Sequence, residues 1–160
     1  MRSLPLLLTG AALVWSSAAL ADKFTATTEC SKPDPQHLLP AGDRPDHSLG
    51  VEASKCTWPK PLEIGGDKTV ESVATEMVEI SGKKTHFRGV NALSMQSGDK
   101  VAVRYQGNST GKDNADSKGA FTFAEGTGKL KGIKGNGTFS CKPAGEGISC
   151  DVEGEYELGK

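Results

Sequence analysis

The chain has 160 residues, and its 19 basic and 20 acidic residues leave a formal net charge of −1. A charge this close to zero argues against nucleic acid or an anionic membrane surface as a partner, because both attract strongly basic proteins. The 20 glycines and the charges that alternate along several segments indicate many turns and few helices. We therefore expect an all-β protein.

The first 21 residues have the features of a secretory signal peptide. Arg2 supplies a basic start, residues 4–14 are mostly apolar, and Ala19-Leu20-Ala21 matches a cleavage site. The apolar run is too short to span a membrane. We predict an exported protein, periplasmic or secreted, whose mature part, residues 22–160, is a single domain.

The mature chain begins with a predicted strand and a proline-rich loop. Residues 22–30 alternate and contain β-branched side chains, which is typical of a strand. Residues 31–46 contain four prolines and no periodicity, so we expect a long loop. The loop either acts as a lid or plugs one end of the domain through Leu38 and Leu39.

A second strand is predicted over residues 47–58. Leu49 and Val51 lie on one face of this strand, whereas Trp58 is out of phase with them. A β-bulge near residues 50–54 would restore the phase and bring all three side chains to the core.

Four further strands and one polar loop are predicted between residues 69 and 124. Residues 69–80, 83–96 and 100–107 are predicted strands joined by turns, and residues 108–118 form a polar loop. Residues 119–124 form the next strand.

The last predicted element is a hairpin whose register follows from its residues. Residues 149–158 alternate acidic and apolar side chains, and residues 134–143 precede them as the partner strand. A type II′ turn at Gly145-Glu146 places Cys141 opposite Cys150 in a non-hydrogen-bonded pair, where a disulfide can form. 

The four cysteines of an exported chain are expected to form disulfides. Because Cys141 pairs with Cys150 in the predicted register, the remaining pair is Cys30 and Cys56. A zinc site is the competing interpretation, although the chain has no C-x-x-C motif.

About eight strands joined by short turns predict an eight-stranded, antiparallel, up-and-down β-barrel. A two-sheet sandwich is the alternative. In a small barrel the inward side chains either fill the interior or line a ligand pocket. The candidate cavity-lining residues are Asn91, Val103, Tyr105, Phe121, Phe123, Phe139 and Tyr156.

Charged and glycine-rich segments suggest no catalytic centre. We interpret Glu76, Glu79, Arg88 and Arg104 as parts of solvated strand faces rather than acid–base pairs. The run at residues 126–129 lacks the Walker spacing, and we predict a tight corner there. The alternative is an anion-binding rim formed by the lysines around this corner.

Several stretches together resemble one family. They are Gly42-Asp43-Arg44-Pro45, His47-Ser48-Leu49, Cys56-Thr57-Trp58, Pro61-Leu62-Glu63-Ile64, Ser97-Gly98-Asp99-Lys100, residues 126–135 and residues 152–158. The chain resembles a group of small exported bacterial proteins of uncharacterised function, whose fold is similar to the allene oxide cyclase and dirigent-type β-barrel. The resemblance covers most of the mature chain and implies a barrel with an internal cavity. It carries over no catalytic residue.

Three functions are consistent with these features. The first is a binding barrel for a small, mainly apolar molecule, the second a cyclase or isomerase acting in the same cavity, and the third an interaction protein with a filled barrel. A cavity above roughly 300 Å³ would favour the first two, and a carboxylate with a strongly shifted pKa inside it would favour the second. We expect no cofactor, no metal and no membrane span. Plant barrels of this architecture are often trimers, so the resemblance also suggests a homo-oligomer.

Overall fold

A computed structural model describes residues 21–110 and 116–159. The predicted signal peptide before residue 21 and the centre of the predicted polar loop lie outside the described residues. The described strands, in chain order, are β1 (Asp22–Cys30), β2 (Gln36–Pro40), β3 (His47–Lys60), β4 (Glu63–Ile64), β5 (Asp67–Ser81), β6 (Lys84–Met95), β7 (Lys100–Thr110), β8 (Asp116–Gly126), β9 (Lys134–Ala144) and β10 (Gly147–Glu157).

Eight of these strands form a closed antiparallel barrel, as predicted. From β5 to β10 each strand pairs with the next one along the chain, and β10 then pairs with β1. Strand β3 closes the barrel, because it pairs with β5 along one edge and with β1 along the other. Strand β2 lies beside the first half of β3, beyond the end of β1, and β4 pairs with the start of β5.

The register of the closing hairpin and both predicted disulfides are confirmed. Cys141 lies opposite Cys150, and the turn residue Gly145 has a φ of 60°. The four cysteines form the disulfides Cys30–Cys56 and Cys141–Cys150, which excludes the zinc site. Two disulfides indicate that the protein folds in an oxidising compartment. Within the two described ranges, no helix is long and apolar enough to cross a membrane.

The predicted position of the bulge in β3, near residues 50–54, is wrong. The pairing of β3 with β5 is unbroken along residues 47–57, and the irregularity lies instead where β3 pairs with β1, with Trp58 and Pro59 opposite Thr28. Leu49 and Val51 therefore point outward, and they are 48% and 47% exposed. The prediction assumed that every large apolar side chain belongs to the core, whereas much of a folded protein's surface is apolar.

The expectation that residues 31–46 form a loop without a strand is also wrong, because the segment contains β2. Leu38 and Leu39 do not plug the barrel, since they are 38% and 72% exposed. The end of the barrel farther from this segment is filled by other side chains. Those brought in by connecting segments are Leu62, Ile64, Leu130 and Ile133.

The predicted tight corner after β8 is present as a 3₁₀ turn over Gly128–Leu130. The Asp99 carboxylate accepts hydrogen bonds from the Thr127 hydroxyl at 3.1 Å and from the Lys129 backbone N–H at 3.2 Å. These bonds hold the turn that places Leu130 in the core.

The core fills only one half of the barrel interior. Its thirteen buried members include Phe123 and Tyr156 near the filled end, and Phe121 at its upper boundary. Toward the end of the barrel nearer residues 31–46, the inward side chains of β5, β6 and β7 become smaller, more polar or less buried. The barrel is therefore closed at one end and hollow toward the other.

Candidate functional site

The hollow half of the barrel contains a chamber of about 900 Å³. Residues 31–33 of the segment after β1 and residues 145–147 of the last hairpin turn line its mouth. A volume of this size lies within the range of pockets that enclose small organic ligands. The chamber is therefore larger than the roughly 300 Å³ that would favour a binding or catalytic function.

The structure separates the seven residues that the sequence nominated for the cavity. Two of them, Phe123 and Tyr156, belong to the filled core, where the Tyr156 hydroxyl accepts a hydrogen bond from the Gly65 N–H at 2.9 Å. The other five line the chamber, with Val103 and Phe121 at its boundary with the core. They are Asn91, Val103, Tyr105, Phe121 and Phe139.

An aromatic cluster forms one wall of the chamber. The ring centroids of Phe87, Tyr105 and Phe139 lie 6.1 to 6.2 Å apart, and Tyr105 meets Phe139 edge to face. Two glycines make room for these rings, because a Cβ at Gly107 would meet the ring of Phe87 and a Cβ at Gly119 would meet that of Phe139. The wall offers an apolar aromatic surface to a ligand.

Two glutamates point into the chamber beside this wall, and the sequence analysis missed both. Glu52 of β3 and Glu76 of β5 are direct cross-strand partners, and both line the chamber. The Gln36 Nε2 donates a hydrogen bond of 2.6 Å to the Glu52 carboxylate. The interpretation of Glu76 as part of a solvated strand face is wrong, because Glu76 shares the inward phase of Val78 and Ile80.

The same row of partners continues from Glu76 to Tyr105. Glu76 pairs with Gly89, and Gly89 pairs with Tyr105. Since Gly89 has no side chain, nothing in this row stands between the carboxylate and the phenol. A Cβ at Gly89 would collide with the Thr75 carbonyl oxygen and with the Cβ of Glu76. Gly89 therefore leaves the space between the Glu76 carboxylate and the Tyr105 phenol open.

The environment of Glu76 favours its protonated form. Burial, followed by the nearby charge of Glu52, raises the pKa of Glu76 to about 7. Tyr105 offsets part of this rise, although its hydroxyl makes no hydrogen bond of ordinary geometry. Burial, followed by the charge of Glu76, raises the pKa of Tyr105. The chamber thus holds a carboxyl group that exchanges its proton near neutral pH.

Three oxygen atoms in the chamber wall are buried and have no hydrogen-bond partner among the described residues. They belong to the side chains of Thr85, Asn91 and Tyr105. Buried polar atoms in native proteins are nearly always paired, so each exception needs a physical reason. A bound molecule with hydrogen-bond donors is one such reason.

A more open depression of about 1100 Å³ lies over strands β5 to β9. Several outward side chains, among them Met77, Arg88 and Lys118, line it. None of the three unpartnered oxygen atoms found in the described residues faces it. We therefore assign the candidate site to the chamber.

A charged cluster, which we call the His47 clasp, lies at the outer rim and comprises Asp43, Arg44, His47 and Glu79. The His47 ring contacts the Asp43 carboxylate through Nδ1 and the Glu79 carboxylate through Nε2, the latter at 3.1 Å. The hydrogen bond with Asp43, and then the one with Glu79, raises the pKa of His47. The clasp ties the segment before β3 to the end of β5.

Fold and site together define a disulfide-bonded β-barrel with a half-filled interior and one internal chamber. Among solved structures, a pterocarpan synthase dirigent protein is similar, with a TM-score of 0.53 and 9% identity over 93% of this chain and 100% of that chain. A conserved protein of unknown function from Rhodopseudomonas palustris has a TM-score of 0.53 and 12% identity over 88% of this chain and 100% of that chain. A DUF3224-family protein of unknown function from Shewanella oneidensis has a TM-score of 0.51 and 14% identity over 88% of this chain and 99% of that chain.

These similarities show the fold alone, because all three identities are low. The predicted likeness to the dirigent-type barrel is confirmed at that level. The likeness to exported bacterial proteins stays a prediction. No protein-family model and no curated protein matches the sequence.

Proposed function

We propose that this protein is an exported barrel that binds a small, mainly apolar molecule in its chamber. The observation that carries the proposal is a chamber of about 900 Å³ that combines an aromatic wall with unpartnered polar atoms. Binding sites for small molecules are concave, mostly apolar and fitted with a few polar groups. The signal-peptide features of the first 21 residues and the two disulfides support export.

Glu76 favours a second function, an acid–base reaction of the cyclase or isomerase type in the same chamber. A carboxyl group with a pKa of about 7 can both donate and accept a proton at neutral pH. The fold is also similar to that of a protein described as a pterocarpan synthase. If native mass spectrometry of the exported protein yields a bound molecule, turnover of that molecule or its precursor separates the two functions. An enzyme would lose turnover in the Glu76→Gln variant while still binding.

The binding proposal can be tested with N-phenyl-1-naphthylamine, an apolar probe whose fluorescence rises when it leaves water. The wild-type protein should bind the probe, and Ala74→Phe should abolish binding because Ala74 lines the chamber. The matched control is Ala92→Phe, which makes the same change at an exposed outward position. The control should bind like the wild type.

Two results would contradict the proposal. One is equal probe binding by the wild type and Ala74→Phe, which would place the probe outside the chamber. The other is a wild type that binds no probe and releases no bound molecule in native mass spectrometry.

A further inference from the structure

We propose that the chamber accepts an amphipathic amine, with its ammonium group between Glu52 and Glu76 and its apolar body against the aromatic wall. This inference rests on the proposed binding function and names the class of ligand. Four observations support it: the charges that line the chamber, the unpartnered acceptor atoms, the paired carboxylates and the position of the aromatic rings.

The charged side chains that line the chamber are mostly acidic. Three carboxylates, from Glu52, Glu76 and Glu146, face a single ammonium group, that of Lys32. Lys32 and Glu146 belong to the segments at the mouth, so the inner part is lined by the two glutamates. A ligand carboxylate would meet like charges there, whereas a ligand ammonium would meet opposite charges.

The wall offers hydrogen-bond acceptors that lack donors. The polar neighbours of the Glu76 carboxylate are the Glu52 carboxylate and the Tyr105 hydroxyl, and the Asn91 Oδ1 is buried without a partner among the described residues. Thr85, whose side-chain oxygen is also unpartnered, lines the same chamber but lies four residues along β6 from Gly89, the partner of Glu76, so a different part of the ligand would have to reach it. An ammonium group supplies three N–H donors and no acceptor, which suits such a wall.

The two paired carboxylates are costly without a cation. Two like charges directly opposite each other on neighbouring strands destabilise a sheet, and burial adds a desolvation cost. Gln36 supplies one donor to Glu52, but no described cationic side chain pairs with Glu76. A ligand ammonium would neutralise the pair and convert a destabilising contact into charge-assisted hydrogen bonds.

The geometry also places the apolar part of such a ligand. The row from Glu76 through Gly89 leads to Tyr105, whose ring packs against Phe87 and Phe139. A ligand whose ammonium lies at the carboxylates would extend its hydrocarbon over these rings. The chamber therefore selects the head group of a ligand at the carboxylates and accepts a range of apolar bodies at the aromatic rings.

Isothermal titration calorimetry with octylamine, 1-octanol and octanoate tests the inference, because the three share one alkyl chain and differ in head group. At pH 8 we expect octylamine to bind about tenfold or more tightly than 1-octanol, a difference of about 1.4 kcal/mol. Octanoate should bind most weakly. In the Glu76→Gln variant the amine should lose most of its advantage while 1-octanol binding is unchanged.

The matched control is Glu71→Gln, a change at an exposed carboxylate of the same strand. It should leave all three affinities as they are in the wild type. Glu52→Gln provides a second chamber variant in case Glu76→Gln fails to fold, and its amine preference should also fall.

The affinity for octylamine should also depend on pH. The groups facing Glu76 are Glu52 from β3 and Tyr105 from β7, while the facing residue of β6 is Gly89. Because the pKa of Glu76 is about 7 and the amine favours the ionised carboxylate, binding below this pH must release a proton. Octylamine affinity should rise about tenfold from pH 6 to pH 8, whereas 1-octanol affinity should not.

The outcomes separate this inference from the binding proposal. Equal binding of octylamine and 1-octanol, or tighter binding of octanoate, would overturn the amine inference and leave the chamber as a binding site. An amine preference that persists in both Glu76→Gln and Glu52→Gln would also overturn it. If none of the three compounds binds and the naphthylamine probe does not bind either, both proposals fail.

Discussion

Replacing Glu76 by Gln should stabilise the protein by an amount that grows with pH. In the folded protein the pKa of Glu76 is raised from an ordinary 4.5 to about 7, so the folded state holds this proton more tightly than the unfolded chain. That contribution to stability is complete below about pH 4.5 and is lost as the pH rises through about 7. At about 1.4 kcal/mol for each tenfold change, the loss is about 3 kcal/mol. Gln has nearly the same shape and does not titrate, so its variant should not show this loss.

Urea unfolding at pH 5, 6, 7 and 8 would measure the effect as a difference between the wild type and Glu76→Gln. Between pH 5 and 8 the wild type should lose about 2 to 3 kcal/mol relative to the variant. Contributions from other titrating groups cancel in this difference because both proteins share them. Glu71→Gln, at an exposed position of the same strand, should follow the wild type at every pH. Parallel curves for the wild type and Glu76→Gln would refute the assignment of Glu76 to a desolvated site beside a second carboxylate.

Two further predictions concern the closed end and the rim. Leu130→Ala should lower the free energy of unfolding by about 3 kcal/mol, because Leu130 is 2% exposed in the filled core. Leu39→Ala, at a leucine that is 72% exposed, should change it by less than about 0.5 kcal/mol, and equal costs in urea unfolding would contradict this account of the core. His47→Gln should lower the melting temperature at pH 6 but much less at pH 9. The raised pKa of His47 makes the His47 clasp stabilising below about pH 6.5, and that stabilisation is lost as the pH rises through the raised value. The gap should also narrow in high salt, whereas an equal gap at both pH values would mean that the imidazolium charge does not matter.

Most of the barrel could be predicted because its strands alternate cleanly. Val101, Val103 and Tyr105 of β7 face inward as expected, and the hairpin of β9 and β10 has the predicted register. In these strands one face is acidic or otherwise polar, so only the apolar face can meet the core. The two disulfides then follow from the register and the even number of cysteines.

The inward faces of strands β3 and β5 could not be predicted in this way, because both faces of each strand carry apolar residues. Met77 of β5 is 53% exposed, while Val78 next to it is 5% exposed. Hydrophobicity alone does not show which set of alternate residues faces the core when the neighbouring strands are unknown. The sequence consequently placed Glu76 on the solvated face and did not consider Glu52. The cysteine and tryptophan of the neighbouring strand β3 were one signal that could have helped. Cys56 and Trp58 are buried, and they face inward together with Ala74, Glu76 and Val78 of β5.

The two halves of the interior have opposite physical characters, and the difference explains why a costly site is tolerated. The filled half buries large side chains such as Ile64, Leu93 and Leu130, and this burial stabilises the barrel. The hollow half contains the groups that reduce stability, namely a paired carboxylate with a raised pKa, three unpartnered oxygen atoms and a chamber without packing. A purely structural barrel would gain stability by replacing Glu76 with an apolar residue that fills the space. Such local departures from the rules of packing are expected at functional sites, and here they coincide in one chamber. A molecule that supplies positive charge and hydrogen-bond donors would offset the cost of the carboxylates, and its apolar body would fill the empty space.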